Sequence, residues 1–290
     1  MNKSYICAVT DSPEDNRDYQ CKEYLHSNQG YPAVLDLRPD LQPVRDQGRW
    51  GTCSAMTAAT IKEWQEKHDE FHNLDEYISP LYIYNFRTNS PREGMFPRDT
   101  MRILLKQGSI KENSFPYVQE NLDVVPSKKL MKEGAEMRIK SYARVDKSVD
   151  EMKKALYVNG PLYISMSVRS FNRYDYKFWL PLVDGTDVNY GGHAISVVGY
   201  NDRGFIIQNS WGKNWGFGGY VTLPYSEIDY IREVWTTVDE DSKNFKANPP
   251  MVDIFFRRVS MFVSEYYKEI ITWMAIIALI TISSLWVIFT

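Results

Sequence analysis

The order of local signals along these 290 residues predicts an α+β fold with two lobes. Helix signals crowd the first half of the body, from Cys53 to Gly160, and strand signals take over at Leu162. With 43% hydrophobic residues the chain can bury a core large enough for one two-layered domain. A cleft between two such lobes is a natural place for a functional site.

Cys53 to Trp64, rich in Ala and Met, is expected to open the helical series. A second helix should start at Ser79-Pro80, an N-cap followed by proline at the first helical position, where the missing N–H would have had no partner. A third runs from about Arg98 to Gln107 and closes at Gly108. The fourth carries the capping box Ser148-x-x-Glu151, continues through Met152, Ala155 and Leu156, and stops at Gly160-Pro161. Leu162 to Val168, Ala194 to Tyr200 and Gly204 to Gln208 are short apolar or alternating runs parted by Gly, Asn and Asp, as antiparallel strands require.

The two ends differ from the body. Residues 1–32 are polar and turn-rich, with no apolar run of the length a secretory signal needs, and form an N-terminal extension to a domain of residues 33–240. Residues 241–269 are read as a linker and juxtamembrane segment. Residues 270–290 contain no charge, and twenty-one residues at about 1.5 Å each span a hydrocarbon core of about 30 Å. A C-terminal transmembrane helix is therefore expected, with Trp273 and Trp286 near its ends and Arg257, Arg258 and Lys268 upstream. A single late span predicts a tail anchor with residues 1–269 on the cytosolic side of a cell membrane, or carried on a virion membrane.

Composition excludes some functions. The 34 basic and 37 acidic residues nearly cancel, so nothing points to nucleic acid as a partner. Three cysteines, Cys7, Cys21 and Cys53, cannot make the disulfide framework of a small secreted domain, and a reducing compartment is expected. No His, Cys and Asp cluster has metal-ligand spacing, so neither a metal nor another cofactor is expected.

Chemistry concentrates in two segments. In Gln47-Gly48-Arg49-Trp50-Gly51-Thr52-Cys53 two glycines precede a cysteine that opens a helix. The positive end of the helix dipole favours the thiolate, although a cysteine alone would more often be packing. Gly191-Gly192-His193 leads into an apolar run, a turn at Asn201-Asp202-Arg203-Gly204, and Phe205 to Asn209. A hairpin centred near residue 201 sets His193 opposite Asn209, whose side-chain oxygen can fix the imidazole tautomer. Trp211, in the glycine-rich aromatic loop that follows, is placed to cover that hydrogen bond from water.

These residues resemble the papain family of cysteine peptidases. Gln47 six positions before Cys53, His193-Ala194 leading into Val197-Val198-Gly199-Tyr200, and Asn209-Ser210-Trp211-Gly212 with Trp215-Gly216 and Gly219-Tyr220 are similar to its motifs in order and spacing, across about residues 30–235. The resemblance implies a helical lobe and an antiparallel β-barrel lobe flanking a cleft. It implies that Cys53 attacks a peptide carbonyl, His193 moves the proton, Asn209 orients the imidazole and Gln47 completes the oxyanion hole. Gly94, Met95, Ser165, Gly192, Ala194 and Trp211 would border the substrate, with the family's double-glycine wall reduced to Gly94. Trp50 and Ser54 stand where many relatives carry a disulfide-forming cysteine and a tryptophan, and the absence of those residues resembles the disulfide-free bacterial and large-DNA-virus members. Residues before Ala33 are fewer than in the usual inhibitory prosegment, which speaks against zymogen control, although they could strap the surface or block the cleft.

The activity expected is thiol-dependent hydrolysis of a protein or peptide substrate by a chain tethered to a lipid bilayer through residues 270–290. The same groups could instead support acyl transfer or deamidation, and a membrane-anchored pseudopeptidase that only binds peptides is the third alternative.

Overall fold

The computed structural model describes residues 5–21, 30–68, 74–169, 173–175, 178–180 and 189–239. The expected transmembrane helix at 270–290 and the juxtamembrane segment from 241 lie outside the described residues. Among those described, no helix is long and apolar enough to cross a membrane.

The helices are α1 (Cys53–His68), α2 (Pro80–Tyr84), α3 (Pro97–Lys106), α4 (Lys128–Gly134) and α5 (Val149–Asn159). Their caps follow the sequence. Ser79 accepts from the Tyr82 N–H, and Pro80 occupies the first helical turn. Ser148 accepts from the Glu151 N–H, while α5 stops at Gly160, whose φ of 81° suits glycine. The first turn of α3 begins one residue earlier than expected, at Pro97. The short helix α4 has no counterpart among the sequence signals, since its apolar spacing is too brief to register; Ser127 caps it.

Among the described residues nine strands form one sheet: β1 (Leu35–Asp36), β2 (Ile139–Arg144), β3 (Leu162–Arg169), β4 (Arg173–Asp175), β5 (Phe178–Leu180), β6 (Asn189–Tyr200), β7 (Gly204–Gln208), β8 (Tyr220–Pro224) and β9 (Ile231–Asp239). Their order is β2-β9-β3-β6-β7-β8-β5-β4, with β1 also on β6. The path has two ends rather than closing into a ring among the described residues, and β5 runs parallel to β8, so the lobe departs from a wholly antiparallel barrel.

Two apolar clusters fill the lobes. Leu162, Ile164, Val197, Ile207, Val221 and Val234 belong to the sheet core, and Leu81, Ile83, Met95, Leu104 and Ile110 to the helical core. A third cluster lies where they meet and joins Cys53, Ile61 and Met101 to Tyr163, Ala194 and Trp235. Helix α1 is the divider, buried from Cys53 to Glu66 despite a polar sequence. Its charged side chains are each paired, although burial still pushes the Glu63 carboxyl up to about 7 against the pull of Arg45. Lys62 bridges Glu66 and Asp239, both at 2.6 Å, and Glu63 accepts from Arg45 at 2.6 Å and from the Ile78 N–H at 3.0 Å. Gln65 donates to Thr237 across the lobes at 3.0 Å.

Candidate active site

Cys53 is the first residue of α1 and is fully buried, and His193 lies within β6, flanked by β3 and β7. Strand β6 starts earlier than expected, so the histidine is held inside a ladder, opposite Met166. The hairpin register also differs from expectation. Ser196 pairs with Gln208 and Val197 with Ile207, and a bulge at Val198 shifts the pairs nearer the turn. Extending the Ser196–Gln208 register sets Asn209 opposite Ile195, two places from His193 on the same face. Such diagonal neighbours still reach each other. His193 Nε2 and Asn209 Oδ1 are 2.8 Å apart.

That contact determines a tautomer. The Ser210 N–H donates to Asn209 Oδ1 at 2.7 Å, which identifies that atom as the amide oxygen. An acceptor facing Nε2 makes Nε2 the N–H of a neutral ring and leaves Nδ1 as a bare acceptor. Nδ1 is buried and has no hydrogen-bond partner among the described residues. Trp211 stacks on the imidazole with centroids 4.6 Å apart and planes 25° apart, sealing the hydrogen bond as expected. Burial pushes the His193 pKa down to about 4, against the opposing pull of the Asn209 hydrogen bond.

Burial pushes the Cys53 thiol up to about 11, opposed by backbone N–H groups of Ala194, Ser54, Cys53 itself and Ala8. Cysteine and imidazole are therefore both neutral in this state. Gln47 is buried, its Oε1 accepting from Ser210 Oγ at 2.7 Å. Its Nε2 thus donates, to Trp50 O at 2.9 Å and Ile6 O at 3.4 Å.

The cause of this burial is the N-terminal segment, which lies in the cleft. Tyr5 stacks on Trp211 at 4.9 Å and 12° and donates through its hydroxyl to Trp211 O at 3.0 Å. The Val9 N–H donates to Gly192 O at 2.9 Å, and the Val9 side chain joins Cys53, Tyr163 and Ala194 in the inter-lobe cluster. A Cβ at Gly94 would collide with Ala8 O, and one at Gly192 with Val9 O, so these glycines admit the strap's backbone. Beyond the cleft the Ser12 N–H donates to Glu233 at 2.6 Å, Arg232 pairs with Asp11 at 2.6 Å, and Arg98 Nε donates to Asp18 at 2.7 Å. The shortness of the extension was a poor guide to what it covers: Tyr5 to Ser12 is enough to fill the cleft over the thiol.

Of the residues expected to border substrate, Gly94, Gly192, Ala194 and Trp211 meet the strap. Ser165 pairs with Ala194 across β3 and β6, and its buried hydroxyl has no partner among the described residues. Met95 is not brought to the cleft; it packs in the helical core with Leu81 and Leu104. Sequence reasoning missed the strap residues Tyr5, Ile6, Ala8 and Val9, as well as Glu233. The signal that could have found them is the short apolar run Tyr5-Ile6-Cys7-Ala8-Val9 inside an otherwise polar extension.

A cysteine at a helix N-terminus, an Asn-held imidazole and a buried glutamine amide at the junction of two lobes define the class of thiol hydrolases. Residues 31–232 match the description papain family cysteine protease, and the chain belongs to that family. It is 29% identical over 220 residues to an uncharacterised peptidase C1-like protein of Acanthamoeba polyphaga mimivirus, covering 68% of this chain and 70% of that one. To cathepsin K of Gallus gallus it is 27% identical over 203 residues, 66% of this chain and 58% of the cathepsin. The crystal structure of xylellain, a cysteine protease from Xylella fastidiosa, matches with a TM-score of 0.71 at 27% identity, covering 81% of this chain and 96% of that one.

Proposed function

We propose that this chain hydrolyses peptide bonds in protein or peptide substrates with Cys53 as nucleophile and His193 as its base, once the strap has left the cleft. The observation that carries the reading is the imidazole held by Asn209 at 2.8 Å with its other nitrogen bare. In the proposed cycle Nδ1 takes the thiol proton and the thiolate attacks the substrate carbonyl carbon. The oxyanion is held by Gln47 Nε2 and the Cys53 N–H, donors of a kind worth about 2.7–4 kcal/mol of barrier each. Nδ1–H then protonates the leaving amine, and water releases the acyl group from Cys53 by the same route. Asn209 holds the ring orientation throughout, and Trp211 keeps water from its hydrogen bond.

Gly94 and Gly192, which lie against the strap's backbone, would pair with substrate main chain, and Ala194 would line the pocket that Val9 fills. Residues 270–290 would tether the domain to a bilayer; sedimentation with vesicles by the full chain but not by residues 1–250 checks this. For the reaction, wild type and Cys53→Ala are compared on a mixed peptide library after strap displacement. Cleavage by wild type alone is expected. Amide products from an added amine, without hydrolysis, would replace hydrolysis by acyl transfer, and equal inactivity of both folded proteins would refute the peptidase reading.

A further inference from the structure

The strap carries a cysteine whose placement the proposed reaction does not use. Successive carbonyls alternate in direction: those of Cys7 and Val9 face Gly191 and Gly192, and that of Ala8 faces Gly94 on the other side. Such alternation marks an extended chain, in which side chains two apart share a face. Tyr5 lies on Trp211 and Val9 in the cluster containing Cys53. Cys7, between them, faces the same cleft floor, and the Ala8 N–H that follows it is among the amides acting on the Cys53 sulfur. Both thiols are free, Cys53 buried and Cys7 partly so, and Cys7 lies near enough to Cys53 to feel a charge there.

We propose that Cys7 is a resolving thiol that locks the strap over Cys53 as a disulfide when hydrogen peroxide oxidises the nucleophile, an inference resting on the Cys53 nucleophile proposed above. While the strap is seated both thiols stay protonated, that of Cys7 pushed up to about 12 by burial and by Cys53, so the peroxide oxidises neither. When the strap lifts, Cys53 ionises in the opened site and its thiolate takes one oxygen from the peroxide, giving a sulfenic acid and one water. Reseating the strap brings the Cys7 sulfur to the Cys53 sulfur. The S–S bond forms, the S–O bond breaks, and the leaving hydroxide departs as a second water with the Cys7 proton. In total two thiols lose two electrons and two protons while the peroxide becomes two waters. A dithiol reverses the lock by exchange. The chemistry protects the nucleophile, because a disulfide is reducible whereas sulfinic acid is not ordinarily recovered. Cys21 is buried in the sheet core with Leu37 and Val145 and serves as an internal reference.

The test treats the full chain with hydrogen peroxide, alkylates remaining thiols with iodoacetamide, and maps unreduced peptides by mass spectrometry. A Cys7–Cys53 linked peptide is expected in wild type, lost on adding dithiothreitol with return of alkylatable Cys53. In Cys7→Ser and Cys7→Ala the linked peptide is absent and sulfinic Cys53 accumulates faster than in wild type. Sulfinic Cys53 at the same rate in all three proteins, or linkage of Cys53 to Cys21 or to a second molecule, would overturn the proposal. The readout does not depend on peptide cleavage: a missing link in an enzyme that still hydrolyses peptides refutes only the lock. A link in a protein that cleaves nothing after reduction and strap displacement refutes only the peptidase reading.

Discussion

Acid should unseat a buried neutral imidazole, and the size of the effect follows from the site. His193 is fully buried, and its pKa lies near 4 where an unperturbed histidine has 6.5. A lowered native pKa means that the unfolded chain takes up the proton first. The stability this group contributes is therefore complete above pH 6.5 and is lost as pH falls through about 4. The displacement from 6.5 to about 4 corresponds to a loss of about 3 kcal/mol by pH 4, at 1.36 kcal/mol per unit. Carboxylates titrate in the same window, so the comparison needs a variant that keeps them all. Urea unfolding of wild type and His193→Gln between pH 7 and pH 4 isolates the term. The stability difference between the two should shrink by about 3 kcal/mol on acidification, wild type losing the more. Parallel pH profiles for the two proteins would refute the placement of a neutral, desolvated imidazole under the strap.

Other consequences are as direct. Val9→Ala removes about 2 kcal/mol of burial holding the strap, so alkylation of Cys53 by iodoacetamide should quicken about 30-fold, as read by peptide mapping. Asn209→Ala leaves His193 Nε2 without its acceptor, and kcat/KM in the strap-opened enzyme should fall about 10-fold or more, matching about 1–2 kcal/mol. Lys62→Met strands Glu66 and Asp239 without their shared cation, and chemical unfolding should register a loss of about 3–5 kcal/mol.

Much of the local geometry was legible because it depends on neighbours in sequence. Ser79 and Ser148 cap helices by bonds to residues three positions on, and Cys53 opens a helix that two glycines lead into. The His193–Asn209 pair was foreseen from a register that proved displaced, because the turn falls between Tyr200 and Phe205 and so centres beyond residue 201, and the bulge at Val198 recovers only one place. Contact survived the displacement because the two residues remain diagonal neighbours on one face. Met95, expected beside the substrate by resemblance alone, packs in the helical core instead. The strap left almost no trace: its hold comes partly from backbone against Gly94 and Gly192 and from Arg98 and Glu233, partners distant in sequence. The central burial of α1 was hidden for a similar reason, because the charges that neutralise Lys62 and Glu63 come partly from Asp239 and Arg45.

The most direct test of Cys53 and His193 as the reacting pair is covalent capture by a peptidyl vinyl sulfone in Val9→Ala protein, mapped by mass spectrometry. The expected result is a single adduct on Cys53, with labelling falling sharply when His193→Gln is added. An adduct on Cys7 or Cys21 instead, or undiminished labelling of Cys53 without the imidazole, would contradict the assignment of nucleophile and base.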